Sequence, residues 1–255
     1  SLGRLSATGD LGIGQSGLTS GRITGHIVEA GVEAGSSAIA GSGQFTLDLE
    51  DDSGRQALRI AAGGQDLRFD PVQGALATIE RLSLDGDLRF EDGSPSGRLR
   101  LEISNADRGF SRLSRLLVTA QAADAGAVID AVVEGDWRGP LELETTVEAH
   151  GLDAQPELSI TAAGRLFGIP VDTVTPPRLQ RIADGWALSE MDLRLGEGRL
   201  AGEARTGATD AALRLVASDL PLELLTAALP ALSPSGRFDL DVDFRQESEG
   251  AGGAA

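Results

Sequence analysis

The sequence predicts an all-β fold: an elongated sheet of amphipathic strands with one or two short helices. Three observations carry that prediction. Large apolar residues alternate with polar ones along most of the 255 residues. Gly, at 34 residues, falls between or inside these runs, where it marks turns and bends. Only two short stretches show helical spacing. Successive side chains of a strand point to opposite faces, so each alternating run has one apolar face and one wet face.

Taken in order, the runs are Phe45, Leu47, Leu49; then Leu82, Leu84, Leu88, Phe90 around Gly86; then Leu99, Leu101, Ile103. Leu141, Leu143 and Val147 follow, then Leu193 and Leu195, then Leu213 and Leu215. Phe238, Leu240, Val242 and Phe244, separated by Asp239, Asp241 and Asp243, form the cleanest copy. These apolar residues are the candidate site, an apolar face or groove. Turns are expected at Asp51–Gly54, Gly63–Gly64, Glu91–Pro95, Gly135–Asp136, Asp184–Gly185 and Gly196–Gly198, which allows over a dozen strands. The helical stretches are Asp107–Leu117, with Phe110, Leu113 and Leu117 on one side, and Asp219–Leu229, with Leu222, Leu225 and Leu229. Each is read as a plug or edge cover for a sheet, with a partner-facing helix as the alternative. Residues 1–245 form the β segment, and 246–255, rich in Glu, Gly and Ala, form a disordered tail.

Chemistry is sought and little is found. Gly12-Ile13-Gly14-Gln15-Ser16-Gly17 matches the dinucleotide fingerprint in letters, but strand and turn residues follow where a helix is required. His26 and His150 are the only histidines and have no metal-spaced partners. Asp239, Asp241 and Asp243 share a strand face without the loop that wraps Ca²⁺. Trp137 and Trp186 each follow a turn and are read as anchors of a sheet end. No enzyme, metal or cofactor is expected. The net charge of −17 repels phosphate, so nucleic acid is excluded as a partner. There is no Cys, no signal peptide pattern and no apolar run long enough to cross a bilayer.

A sheet with so little helix buries its apolar face against itself, as a sandwich or filled β-helix, or leaves it lining a groove. An open groove would take acyl chains at about 0.8 kcal/mol per methylene.

Three stretches of the C-terminal third resemble the TamB (translocation and assembly module) family of Gram-negative envelopes. They are Thr175–Trp186 with its Asp184-Gly185-Trp186 turn, Leu193–Gly202 with the Gly198-Arg199-Leu200-Ala201-Gly202 restart, and Ala212–Leu215 running into Asp219–Leu225. The resemblance is clearest over Pro176–Phe244 and compositional before it. It implies a taco-like curled sheet with an apolar interior, as in the AsmA-like bridge-like lipid transport proteins. It further implies a segment of a larger periplasmic protein, anchored in the inner membrane through a segment absent from this chain. The partners it implies are phospholipid or another acyl-chain lipid and an outer-membrane barrel protein of the TamA type. The readings carried forward are a lipid conduit, a scaffold or chaperone for outer-membrane and autotransporter proteins, and a filled β-helix with structural or adhesive duty.

Overall fold

The structure is a computed structural model that describes residues 4–14, 17–34, 37–52, 55–70, 77–91, 94–109, 111–123, 126–137, 139–151, 155–208, 210–227 and 235–247. It is all-β. The chain divides into two compact units, Ser1–Glu142 and Leu143–Ala255.

The first unit is an antiparallel meander of β1 (Arg4–Ile13), β2 (Thr19–Ala34), β3 (Ser37–Asp52), β4 (Arg55–Asp70), β5 (Ala77–Glu91), β6 (Ser94–Arg108), β7 (Ser111–Ala123) and β8 (Gly126–Trp137), each paired with its neighbour in sequence. The second begins at Leu143, within β9 (Pro140–His150), and holds β10 (Glu157–Leu166), β11 (Ile169–Thr175), β12 (Arg178–Ile182), β13 (Gly185–Leu195), β14 (Gly198–Thr206), β15 (Asp210–Pro221) and β16 (Arg237–Glu247). Its order is β9-β10-β11-β13-β14-β15-β16, and β12 pairs with both β10 and β13. β11 and β12 are therefore two halves of one lane. Pro176 and Pro177, which have no N–H to give a ladder, divide it.

Alternation alone would throw each long strand out of phase, because many runs change parity midway. The structure resolves this at four residues with left-handed backbone: Asp66 (φ 52°), Asn105 (φ 52°), Glu190 (φ 58°) and Asp219 (φ 51°). Each is the second spacer in an apolar-x-x-apolar skip: Gly64 to Leu67, Ile103 to Ala106, Leu188 to Met191, Ala217 to Leu220. Register shifts fall at Leu188/Met191, at Ala217/Leu220, and at Ala40/Ser42 opposite Asp66. An extra residue in a bulge restores the apolar side chains to their original face.

That device corrects one expectation. Asp107–Leu117 is not a helix: β6 ends at Arg108, Gly109 turns the chain at φ 62°, and β7 begins at Ser111. The register shift between Leu113 and Arg115 lies inside the spacing of four, so Leu113 pairs with Ala106 on the apolar face while Leu117 pairs with Glu102 on the other. Phe110 lies outside the described residues. Two expected turns are also strand. Gly63 and Gly64 pair inside β4 with Gln44 and Gly43, and Gly135 pairs with Leu113 inside β8. In Asp219–Leu229 the helical element is a 3₁₀ turn, Leu222–Ala227, entered after Pro221; residues 228–229 lie outside the described residues. β16 runs through Glu247, two residues into the expected tail, and the rest of the tail lies outside the described residues.

Buried residues cluster in the second unit at Val171, Leu195, Ala217 and Leu220, with Leu143, Leu166, Leu200, Leu224 and Phe238 packed on them. The 3₁₀ turn contributes Leu224 and is pinned by the Leu222 N–H donating to the Gly236 carbonyl at 2.9 Å.

A left-handed backbone costs an L-residue about 1–2 kcal/mol. Glu190→Gly is therefore expected to raise stability by up to about 1 kcal/mol, and Glu190→Val to lower it by about 1–2 kcal/mol. Urea denaturation midpoints check both.

Candidate functional site: the apolar face

Directly paired residues of antiparallel strands share a face, so the register shows which residues the fold collects. One row of the first unit runs Ala7, Gly25, Phe45, Ala62, Leu84, Leu101, Val118, Ala131. The next runs Gly9, Ile23, Leu47, Ile60, Gly86, Leu99, Ala120, Ile129. A third joins Leu49, Leu58 and Leu88, and a fourth joins Ile27, Gly43, Gly64, Leu82, Ile103, Leu116 and Val133. Phe90 continues beside Leu88 opposite Gln56. Each complete row crosses eight strands, roughly 34 Å at about 4.8 Å per strand spacing.

Most of these side chains are half-buried, Ala7 and Ile129 are exposed, and no large side chain among the described residues is fully enclosed. Small residues set the relief of this face. An added Cβ at Gly86 would lie 2.8 Å from both Ile60 Cγ2 and Leu99 Cδ1, so the two flanking side chains lean over the glycine. The Phe45 ring occupies the same space over Gly25. At the rim, Gln56 crosses β3 to reach β2. Its Oε1 accepts from the Thr19 N–H at 3.0 Å and its Nε2 donates to the Thr19 carbonyl at 2.9 Å. Two strand spacings are about 9.6 Å in a flat sheet, so β2 and β4 approach more closely here than flatness allows.

Two apolar grooves open on this face. One, of about 270 Å³, is lined by Ile27, Phe45, Ala62, Leu67 and Leu82 among others. The other, of about 380 Å³, is lined by Ile79, Ala106, Leu113, Trp137 and Leu141. A concavity of about 780 Å³ opens on the opposite face between Asp48, Arg59, Asp85, Asp87, Arg98, Arg100 and Asp130.

That opposite face is organised by charge. Asp10, Arg22, Asp48, Arg59, Asp87 and Arg98 follow one another across six strands with alternating sign. Arg22 donates to both Asp48 carboxylate oxygens, which holds the Asp48 carboxyl below its ordinary value. Cross-strand opposite charges contribute about 0.2–1 kcal/mol each, and exposed pairs lie at the low end.

In the second unit the register assembles Leu193, Leu200, Ala217 and Leu240; Met191, Gly202, Leu215 and Val242; and Leu188, Ala204, Leu213 and Phe244. Phe238 faces Leu220, and Val171 faces Leu195. Leu240 and Phe244, on the edge strand, stay 41% and 48% exposed. Leu143 joins the buried cluster and Val147 is half-buried on β9. On the polar side Asp192, only 7% exposed, accepts two hydrogen bonds from Arg199, one of them 2.7 Å from Nε. These bonds hold the Asp192 carboxyl below its ordinary value, against a smaller opposing effect of burial. Arg237 does the same for Glu197.

The fingerprint-like glycines form a hairpin, in which Gly14 N–H donates to the Leu18 carbonyl at 2.9 Å and β2 follows. Gln15 and Ser16 lie outside the described residues. His26 is exposed between Ser6 and Gln44, and the His150 ring stands 4.0 Å from Glu148. Asp239, Asp241 and Asp243 are exposed along β16, where the Asp239 carboxylate accepts from the Asp219 N–H at 2.8 Å. Trp137 and Trp186 are exposed strand residues; Trp137 ends β8 and Trp186 stands near the start of β13.

The alternating runs above omit Ile23, Ile27, Leu58, Ile60, Leu113, Leu116, Val118, Ile129 and Val133. Most sit in period-two runs of their own, Ile23 to Ile27, Leu58 to Ile60, Leu116 to Val118 and Ile129 to Val133, broken by small residues; a three-residue skip, read as a bulge, joins Leu113 to Leu116.

The chain matches no protein-family model, no curated protein and no solved structure in comparisons with all three.

Two outcomes are expected. Gly86→Ile forces a branched side chain between Ile60 and Leu99 and lowers stability by about 1–3 kcal/mol, read by chemical denaturation. Asp48, Asp192 and Glu197 bind protons less readily folded than unfolded. Their stabilisation is present above the ordinary carboxylate pKa and is lost as pH falls through the lowered folded values. An Asp48→Asn/Asp192→Asn variant should accordingly show a shallower decline of stability in acid than the parent, measured by denaturation across a pH series.

Proposed function

We propose that this chain is a segment of a periplasmic, TamB/AsmA-like lipid conduit, in which a curled, taco-like β-sheet shields acyl chains along its apolar face while headgroups stay in water. The observation that carries this reading is the set of apolar rows, continuous over eight strands, on a face that no helix or second sheet layer covers among the described residues of the first unit. A row of roughly 34 Å exceeds the hydrocarbon of one leaflet, about half of the ~30 Å bilayer core. Transfer of acyl methylenes from water to such a strip gains about 0.8 kcal/mol each. No bond is made or broken, and passage along a row needs only that neighbouring sites be alike.

The Gln56 bridge over β3 supports curvature toward the apolar side at one rim. The resemblance over Pro176–Phe244 supports the envelope setting, the inner-membrane anchor beyond this chain and an outer-membrane partner of the TamA type. A filled β-helix stacks parallel strands around a solid core; the antiparallel pairing and the half-exposed apolar rows favour the open face instead.

The test is purification of the chain from cells, with bound lipid identified by mass spectrometry. Stoichiometric phospholipid is expected in the parent. It should be lost in Leu88→Arg and in Leu101→Arg while circular dichroism still reports the sheet. A folded, lipid-free parent, or undiminished lipid in both variants, would overturn the reading.

A further inference from the structure

At one rim of the first unit the apolar face ends on an arginine between two aromatic residues. The outermost paired row across β4 to β8 runs Phe69, Ala77, Arg108, Ser111, Trp137. It lies two residues beyond the row Leu67, Ile79, Ala106, Leu113, Gly135, and so shares the apolar side. Arg108 is the one arginine that the first unit's described ladders set on this face. It is exposed, and it makes no ion pair or side-chain hydrogen bond with another described residue. Arginines at the opposite rim are matched: Arg55 with Glu91, Arg59 with Glu50, Arg89 with Asp52. There the outermost apolar-side row carries Asp51 beside Gln56 and Phe90.

The surroundings of Arg108 suit one kind of occupant. The apolar groove of about 380 Å³ opens beside it, walled by Ile79, Leu113, Trp137 and Leu141. Asp107, Arg112 and Asp136 also border this groove but pair with one another on the charged face. Phe69 and Trp137 each stand two strand spacings from Arg108, about 9.6 Å, and an indole favours the boundary between hydrocarbon and water. An unmatched guanidinium presents paired donors to a phosphate. From Ala106 back to Leu99, β6 offers roughly 20 Å of apolar face at about 3.3 Å per residue, more than the hydrocarbon of one leaflet, half of the ~30 Å bilayer core. We propose that Arg108 holds the phosphodiester of a glycerophospholipid whose tails lie along the strands toward the Asp51 rim. The assignment rests on the lipid-conduit reading and adds an orientation to it. Headgroups stand at the β6/β7 hairpin and not at the opposite rim, where Asp51 places negative charge on the apolar side.

The experiment is fluorescence quenching in the Trp186→Phe chain, which keeps Trp137 as its only tryptophan. The probe is phosphatidylcholine brominated near the carbonyl end or near the methyl end of its chains, a zwitterionic lipid because the net charge of −17 opposes anionic ones. Bromine near the carbonyl end is expected to quench Trp137 more strongly than bromine near the methyl end. Arg108→Gln should weaken phosphatidylcholine binding on the order of tenfold. Binding of dioleoylglycerol, which has no phosphate, should be the same in both chains, and this separates a lost phosphate contact from a lost fold. Inorganic phosphate at equal concentration should not displace the phospholipid. Quenching by neither bromolipid would overturn the conduit reading together with this one. Equal or stronger quenching from the methyl end, an Arg108→Gln chain that binds phosphatidylcholine as the parent does or loses both lipids alike, or displacement by inorganic phosphate would overturn the headgroup assignment alone.

Discussion

Everything in this molecule depends on the rule that residues paired across an antiparallel ladder share a face. With a side-chain period of two, a slip of one residue would carry Leu84, Leu101 and Val118 to the charged side and bring Asp85 and Arg100 to the apolar side. The apolar rows and the alternating belt of Asp and Arg are thus two expressions of a single register. Each penalises its loss: exposed hydrocarbon on one face, unpaired or opposed charges on the other. Hydrophobic burial supplies the larger share, because the belt's pairs are mostly exposed and individually weak.

Strands of 15 or 16 residues twist enough that an unbroken alternation would be hard to keep in phase with every neighbour. Left-handed residues at Asp66, Asn105, Glu190 and Asp219 relieve this, and short polar side chains tolerate that backbone better than branched ones. Asn105 adds a hydrogen bond across the lane, its Nδ2 donating to Glu80 at 2.7 Å. Glycine serves the face in a second way. At Gly25 and Gly86 its lack of a Cβ lets neighbours lie flat, so the apolar layer is thin and uneven rather than a close-packed core.

Much of this was legible in the sequence. The runs at Phe45–Leu49, Leu82–Phe90 and Leu99–Ile103 are strands on a shared face of the first unit, and Phe238–Phe244 is a strand of the second, because a period of two has no other common cause. What escaped was local. Leu113 and Leu117 suggest a helix by their spacing of four, but a bulge between them turns the two side chains to opposite faces of the sheet, and nothing in the run itself marks that bulge. Gly63–Gly64 suggested a turn, since nothing local distinguishes a glycine pair that reverses the chain from one that makes room within a strand. Register between strands, and with it the belt from Asp10 to Arg98, is a property of pairing and leaves no mark on any single run. The Gln56 bridge to Thr19 likewise depends on how the sheet bends between strands that are not adjacent.

The meander itself has a further consequence. In the first unit each strand pairs with its neighbours in the chain, so the sheet grows in one dimension, and each hairpin depends on the one before it rather than on a distant partner. Local closure keeps the entropic cost of every addition small. Inserting or deleting a hairpin pair in such an architecture preserves both faces and disturbs only the two strands at the joint. Length is therefore the property most easily altered by mutation, and a molecule of this design can be fitted to a span without redesigning its cross-section.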